Sequence, residues 1–282
     1  MKVRCPARVG LHVDVGPKGR PEGLFAKISL CDELELTGLN SDRVEFQVES
    51  EEPLPTDEGN LALRAVLEFR RAFKVGRGVR VRLVKHIPVG SGLCGAASDA
   101  GGVLRGLAAL FETPNRGKVG VPLMKVAKKI GPSVPFFVQP EAICRVEAER
   151  FHPVRPGGSI PYLVAAFPGR FTSEEASAAS CFPVGLTRES HLDKLIRSLE
   201  EGLSLSRWED FLFNRWEESG LSSSARVGLV RRILERVGLR GVRAAGAGPS
   251  AFGFAASHAD GERAVRMLQE YPWRVFLTCC GG

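Results

Sequence analysis

The sequence predicts an α+β protein of two domains. Three observations carry that expectation. The first fifty residues are strand-like and broken by Gly and Pro, a glycine-rich loop at His86–Gly101 joins a strand to a helix, and the second half mixes strands with helices. At 282 residues and 44% hydrophobic content, the chain can bury a substantial core as one large domain or two ordinary ones. The Pro-, Gly- and Arg-rich stretch "FHPVRPGGSIP" marks the boundary and divides the chain into 1–153 and 154–282.

Within the first part, "VRCPARVGLHVDV", "GLFAKISL", "DELELTGL" and "RVEFQVES" read as strands in an antiparallel, hairpin-rich arrangement. Asn60 is placed to cap a helix whose Ala62, Val66, Phe69 and Phe73 share one face. In "GVRVRLVKHI", Val79, Val81 and Leu83 alternate with Arg80 and Arg82, as a half-buried strand requires. The glycine loop follows, and then a helix with Leu104, Leu107, Ala108 and Phe111 on its apolar side, running to about Glu112. A further helix covers Val121 to Ile130 and stops at Gly131 and Pro132, ahead of a short strand "VPFFV". The second part reads as strand "YLVAAF", then helices at Ser173 to Ala179, Arg188 to Glu201, Trp208 to Glu217 and Ser222 to Val237. A Gly-rich turn, strand "SAFGFAA", helix Ala259 to Glu270 and strand "WRVFLT" complete it.

Composition narrows the function classes. No apolar run approaches the ~20 residues that span a bilayer, and "MKVRCPARVGLHV" lacks a secretory core and cleavage site, so the expected compartment is the cytoplasm, with no membrane partner. Seven cysteines, at 5, 31, 94, 144, 181, 279 and 280, show no CxxC spacing and are expected as reduced thiols. The terminal "TCCGG" is a metal or redox pair at most, and an inert pair at a frayed tail otherwise. A net charge of +7 favours acidic ligands but is spread along the chain. With two tyrosines and three tryptophans there is no aromatic-basic stacking motif, and no nucleic-acid partner is expected.

The loop "HIPVGSGLCGAASDAG" carries the chemistry. Glycines between a strand and a helix let backbone N–H groups approach a ligand where the helix dipole is positive, which makes an anion site. Ser91 and Ser98 add hydroxyls, and Ser98 is placed to cap the helix or to reach a phosphate or its Mg²⁺. The plainer alternative is a tight turn with Ser98 or Asp99 as an ordinary cap. A Walker loop is excluded, because no Gly-Lys-Ser or Gly-Lys-Thr follows the glycines and Lys85 lies upstream. Glycines 90, 92 and 95 satisfy GxGxxG, but Glu112 falls at a helix end and not after a second strand, where a ribose-binding acid belongs.

The segment "KHIPVGSGLCGAASDAGGVLRGL" resembles the phosphate-binding motif of the galactokinase, homoserine kinase, mevalonate kinase and phosphomevalonate kinase (GHMP) superfamily. It resembles most the 4-diphosphocytidyl-2-C-methyl-D-erythritol kinases, whose strand-Lys-x-Ile-Pro approach leads into a long glycine loop. Other segments agree in order. "CPARVGLHVDVGPKGRPEGL", "ISLCDELEL", "GNLALRAVLEFRRAF", "KKIGPSVPFFV", "LVAAFPG", "FNRWE" and "AAGAGPSAFGFA" are each similar to a family element. The resemblance implies a two-domain GHMP kinase fold. Residues 1–153 would form an ATP-binding domain like domain 2 of ribosomal protein S5, and 154–282 a ferredoxin-like domain on the substrate side.

It also implies ATP and Mg²⁺ as cofactors, a small-molecule alcohol as substrate, and a monomer or homodimer. Gly90, Ser91, Gly92, Leu93, Gly95, Ala96, Ala97 and Ser98 would hold the nucleotide, with Ser98 also on the metal. Gly10, Leu24, Phe25, Gly246 and Gly248 would face the substrate. The catalytic positions differ from the family: its Lys falls on Arg8 and its Asp on Ser133. A serine is no general base without an activator, whereas Arg8 keeps the charge with a different geometry. The family's Tyr-His pair, associated with cytidine, falls on Leu24 and Phe25, and its first-motif Asn on Gly10. In the loop, Ala97 replaces a Ser and Cys94 a Gly, with Cys94 either a packed small residue or a thiol activated at the helix start. The resemblance therefore supports an ATP-dependent alcohol kinase, or alternatively a catalytically impaired paralogue that binds nucleotide or a protein partner.

Overall fold

The computed structural model describes residues 1–16, 21–111, 120–172, 189–218 and 225–281. The chain forms two compact units that interleave in sequence. The first is Met1–Ala7, Leu30–Pro88 and Cys94–Pro140; the second is Arg8–Ser29, Val89–Leu93 and Glu141–Gly282. The expected boundary at 153/154 falls inside the second unit. Strands β1 (Lys2–Val15) and β2 (Pro21–Gly38) each contribute to both.

In the first unit, β3 (Val44–Glu49) lies parallel to β4 (Val79–Val84), and β4 is antiparallel to the Glu33–Gly38 end of β2. The alternation in β4 buries Val79, Val81 and Leu83, while Arg80 and Arg82 point outward to Glu45 and Glu49 at 2.6 and 2.7 Å. Helix α1 (Leu61–Phe73) begins where the Asn60 side chain accepts from the Ala62 N–H at 3.0 Å. With α2 (Gly95–Leu110), α3 (Val121–Ile130) and α4 (Val134–Val138) it covers a core of Leu34, Leu36, Phe69, Val81, Val103 and Leu107. Small residues let α2 come close: a Cβ at Gly101 would lie 2.5 Å from the Phe137 Cβ, and one at Gly102 2.4 Å from the Cys5 sulfur.

In the second unit, β2 pairs through Gly23–Ala26 with β5 (Ile143–Glu147), which turns into β6 (Arg150–Pro153). A separate antiparallel sheet follows, built from β7 (Tyr162–Phe167) with strands later in the chain. After α5 (Glu189–Glu200), the two-residue β8 (Phe213–Asn214) joins β1 in parallel at His12 and Val13, and α6 (Arg215–Glu218) and α7 (Ala225–Arg236) come next. Strands β9 (Arg240–Ala244) and β10 (Ala251–Ala255), helix α8 (His258–Leu268) and β11 (Arg274–Thr278) complete the sheet in the order β11-β7-β10-β9. Its core includes Val164, Ala166, Val230, Leu234, Ala251 and Leu268. No helix among the described residues is long and apolar enough to cross a membrane.

Several elements differ from the sequence expectation. "GLFAKISL" and "DELELTGL" form one strand, because no turn residue intervenes and Asp32 is accommodated inside by ionic partners. The start is not purely antiparallel, since β3–β4 and β1–β8 pair in parallel. "VPFFV" is helical, with Pro135 in a first turn where its missing N–H costs nothing and all five residues buried. Trp208 to Glu217 is not one helix but a single 3₁₀ turn at Glu209–Phe211, then β8, then α6. There the Asn214 amide donates to the Ala244 and Gly246 carbonyls at 2.9 and 3.0 Å, which draws the chain away from a helical path. The tail is anchored and not frayed: Ser29 N–H donates to the Cys279 carbonyl at 2.9 Å, and Gly281 N–H to that of Lys27 at 3.0 Å. The expected helix at 173–179, the start of the one at 222, Glu112 and Cys181 lie outside the described residues.

Candidate nucleotide site

The glycine loop divides between the units, Val89–Leu93 going with the second and the residues on either side with the first. In the first unit, helix α2 starts at Gly95. Its N-cap is Cys94, held left-handed at φ 62°, which makes no side-chain capping bond, and its first turn carries no acidic residue. The N–H groups of Gly95, Ala96 and Ala97 thus open the helix without a side-chain cap, the condition for an anion seat. Ser98 and Asp99 are not caps. Both lie inside the helix and are buried, with the Ser98 N–H donating to the Cys94 carbonyl at 3.0 Å. The Ser98 hydroxyl has no hydrogen-bond partner among the described residues, and neither has Oδ1 of Asp99.

The first unit also holds a buried charge cluster that sequence reasoning did not single out. Lys85 donates to Oδ2 of Asp32 and, at 2.6 Å, to Oδ2 of Asp99. Oδ1 of Asp32 accepts from the N–H groups of His86 and Ile87 at 2.6 and 2.8 Å. Burial pushes the Asp99 carboxyl well above its usual range; Lys85 opposes this and Asp32 reinforces it. For Lys85, burial acts to lower the ammonium's pKa, but the two carboxylates more than offset it and the net shift is upward.

In the second unit, Gly90 and Gly92 have φ of 74° and 83°, a region open to glycine, and Ser91 is buried. The Arg170 Nε donates to the Val89 carbonyl at 3.3 Å, beside Gly90. Gly92 meets a second glycine loop, the turn between β9 and β10 that holds Gly246 and Gly248: a Cβ on Gly92 would stand 2.5 Å from the Gly248 Cα, and the Ser250 N–H donates to the Ser91 carbonyl at 3.3 Å. Asn214 ties Gly246 down from β8. Two β1 backbone groups close the arrangement, Arg8 N–H to Leu93 and Gly10 N–H to Ala245, both at 3.0 Å.

The remaining expected residues sit as follows. The Arg8 guanidinium lies 4.4 Å above the Phe25 ring. Leu24 and Phe25 are 0% and 2% exposed, one on each face of β2. Where a Gly10 side chain would begin, the Val13 methyl stands at 2.0 Å. Ser133 is half-buried in the first unit, where it precedes α4 without a side-chain capping bond. The described residues contain no group of three or more His, Cys, Asp or Glu able to hold a metal. Asn214 was legible only as part of the family-like "FNRWE", whereas Asp32 carried no local signal.

Known proteins resemble the chain over most of its length. The GHMP kinases N terminal domain matches residues 60–137, and the GHMP kinases C terminal family matches 186–272. A 4-diphosphocytidyl-2-C-methyl-D-erythritol kinase of Desulfotalea psychrophila is 32% identical over 263 residues, covering 90% of this chain and 85% of that protein. One from Caldicellulosiruptor bescii is 27% identical and covers 100% and 99%. A crystal structure of 4-(cytidine 5'-diphospho)-2C-methyl-D-erythritol kinase aligns with a TM-score of 0.78 at 28% identity over the whole of both chains. A homoserine kinase from Cytophaga hutchinsonii shares the fold, with a TM-score of 0.79 at 16% identity over 99% and 94% of the two chains. The chain belongs to the GHMP kinase family, in the company of the 4-diphosphocytidyl-2-C-methyl-D-erythritol kinases.

Proposed function

We propose that this chain is an ATP-dependent kinase that transfers the γ-phosphoryl of ATP to an alcohol of isoprenoid biosynthesis. The observation that carries the reading is the start of α2, uncapped by side chains and free of acid, directly after the left-handed glycines 90 and 92. The loop from Gly90 to Ser98 holds the phosphates, chiefly through the backbone N–H groups of Gly95, Ala96 and Ala97 that open α2. Arg8 supplies the positive charge that the family draws from a Lys, and the Phe25 ring beneath it fixes its direction. The orphaned, buried Ser98 hydroxyl suits a Mg²⁺ ligand, and the ion would neutralise charge on the triphosphate. At the position of the family's base, Ser133 orients the acceptor hydroxyl but accepts no proton. Phosphoryl transfer through a loose transition state depends mainly on positioning and charge, so it tolerates this loss at a reduced rate.

Leu24 and Phe25 being buried favours an acceptor whose recognition does not depend on cytosine stacking at those positions. The same observation, with Ser133, motivates the second reading, a paralogue that binds nucleotide or a protein partner without transfer. Calorimetry with Mg-ATP and a phosphoryl-transfer assay over alcohols including diphosphocytidyl-methylerythritol separate the two. Binding with transfer is expected. If Mg-ATP binds, no alcohol is phosphorylated and Ser133→Asp restores nothing, the kinase reading is lost and the binding reading stands.

A further inference from the structure

Lys85, Asp32 and Asp99 form a closed ionic cluster within the first unit, their side chains 6%, 0% and 4% exposed. The members come from three separate stretches of chain. Asp32 is on β2, Lys85 follows the end of β4, and Asp99 is in the second turn of α2. Asp32 uses one oxygen for the N–H groups of His86 and Ile87, the residues that lead into the glycine loop, and the other for Lys85. Lys85 carries the link onward to Asp99, five residues after the N-cap at Cys94. Gly95 leaves room for it: a Cβ there would lie 3.1 Å from the Lys85 Nζ and 3.3 Å from Asp32 Oδ2.

One strand thus fixes the chain just before the loop and, through a single ammonium, the helix just after it. Buried charged groups held in this way are costly to leave unpaired, so the geometry has few alternatives. We propose that Lys85 is a positioning residue: clamped between Asp32 and Asp99, it holds the two ends of the glycine loop at the separation that receives a nucleotide triphosphate, and does not itself contact phosphate. The inference rests on the nucleotide-binding reading above.

Two variants of the full chain test it, with Mg-ATP as the probe. Lys85→Met removes the link. Asp32→Asn retains an oxygen for His86 and Ile87 but sets an amide N–H against the ammonium, and it does so at a residue with no exposed surface, out of reach of any nucleotide. Calorimetry at low temperature, on protein verified as folded by its melting curve, is expected to show Mg-ATP affinity reduced roughly 5- to 150-fold in both variants, the usual size of a coupling between a binding site and a separate cluster.

Weak binding by Lys85→Met with unmodified affinity in Asp32→Asn would mean that Lys85 touches phosphate directly, which overturns the proposal. Lower melting temperatures with unchanged affinity in both would reduce the cluster to a folding element, and that overturns it too. If Lys85→Met fails to fold, Asp32→Asn alone decides. Failure of the unmodified chain to bind Mg-ATP would instead overturn the kinase reading, and this proposal with it.

Discussion

In the kinase proposed above, Ser133 stands at the position of the family's base. A carboxylate there would accept the acceptor's proton, and general-base groups contribute ~10²–10⁴-fold. Ser133→Asp is therefore expected to raise kcat by ~10²-fold with little change in KM for ATP, measured in the transfer assay. An unchanged kcat would show that the proton leaves without help from this position. Asp99 makes the stability of the chain depend on pH. Its folded-state pKa is raised by burial, so between its unfolded and folded values the native chain holds a proton that the unfolded chain has released. Its contribution to stability is most favourable below the ordinary Asp value and declines as pH rises through the raised one. Asp99→Asn removes that titration, and its denaturation midpoint should vary less with pH than that of the unmodified chain. Equal slopes would show that Asp99 does not hold that proton.

Among the elements, the contact between the two glycine loops is decided by sterics. A Cβ at Gly248 would fall 2.4 Å from the Gly92 Cα and 2.7 Å from the Ser91 carbonyl, both backbone atoms that cannot swing aside. Gly248→Ala should force the loops apart and weaken Mg-ATP binding. Gly76→Ala, where an added Cβ meets nothing within 4 Å, should leave binding unchanged. Equal binding by both variants would show that the loop contact is not used. Elements whose cause is local were legible in the sequence: β4 by its Val/Arg alternation, α1 by Asn60, α3 by its period and the Gly-Pro stop. Those set by distant partners were not. The β5–β6 turn places Ala148 and Glu149 at φ of 47° and 61° without a Gly or Asn to announce it. β8 exists because His12 and Val13 are there to receive it, 201 positions earlier in the chain. The candidate site divides in the same way. Its glycines and serines stood out by their place between a strand and a helix and by the family-like motif, whereas the Lys85 cluster depends on Asp32, 53 positions away, and on a fold that brings the two together.

For the molecule as a whole, the interleaving of the units has a thermodynamic consequence. Each unit has its own hydrophobic core, one running from Cys5 to Val138 and the other from Val164 to Leu268, which by themselves would allow stepwise unfolding. The connection is not a linker, however. β1 and β2 are continuous strands that supply Cys5, Leu34 and Leu36 to the first core, while their other ends pair with β8 and β5 in the second unit. Melting one unit therefore unpairs strands on which the other depends. The glycine loop crosses the division as well, with Leu93 bonded to Arg8 in the second unit and Gly95 opening α2 in the first. Calorimetry should accordingly show a single transition whose van't Hoff and calorimetric enthalpies agree, shifted upward by Mg-ATP as one peak. Two resolved peaks, with only one moved by nucleotide, would show that the shared strands do not couple the units and that the nucleotide depends on one half of the loop alone.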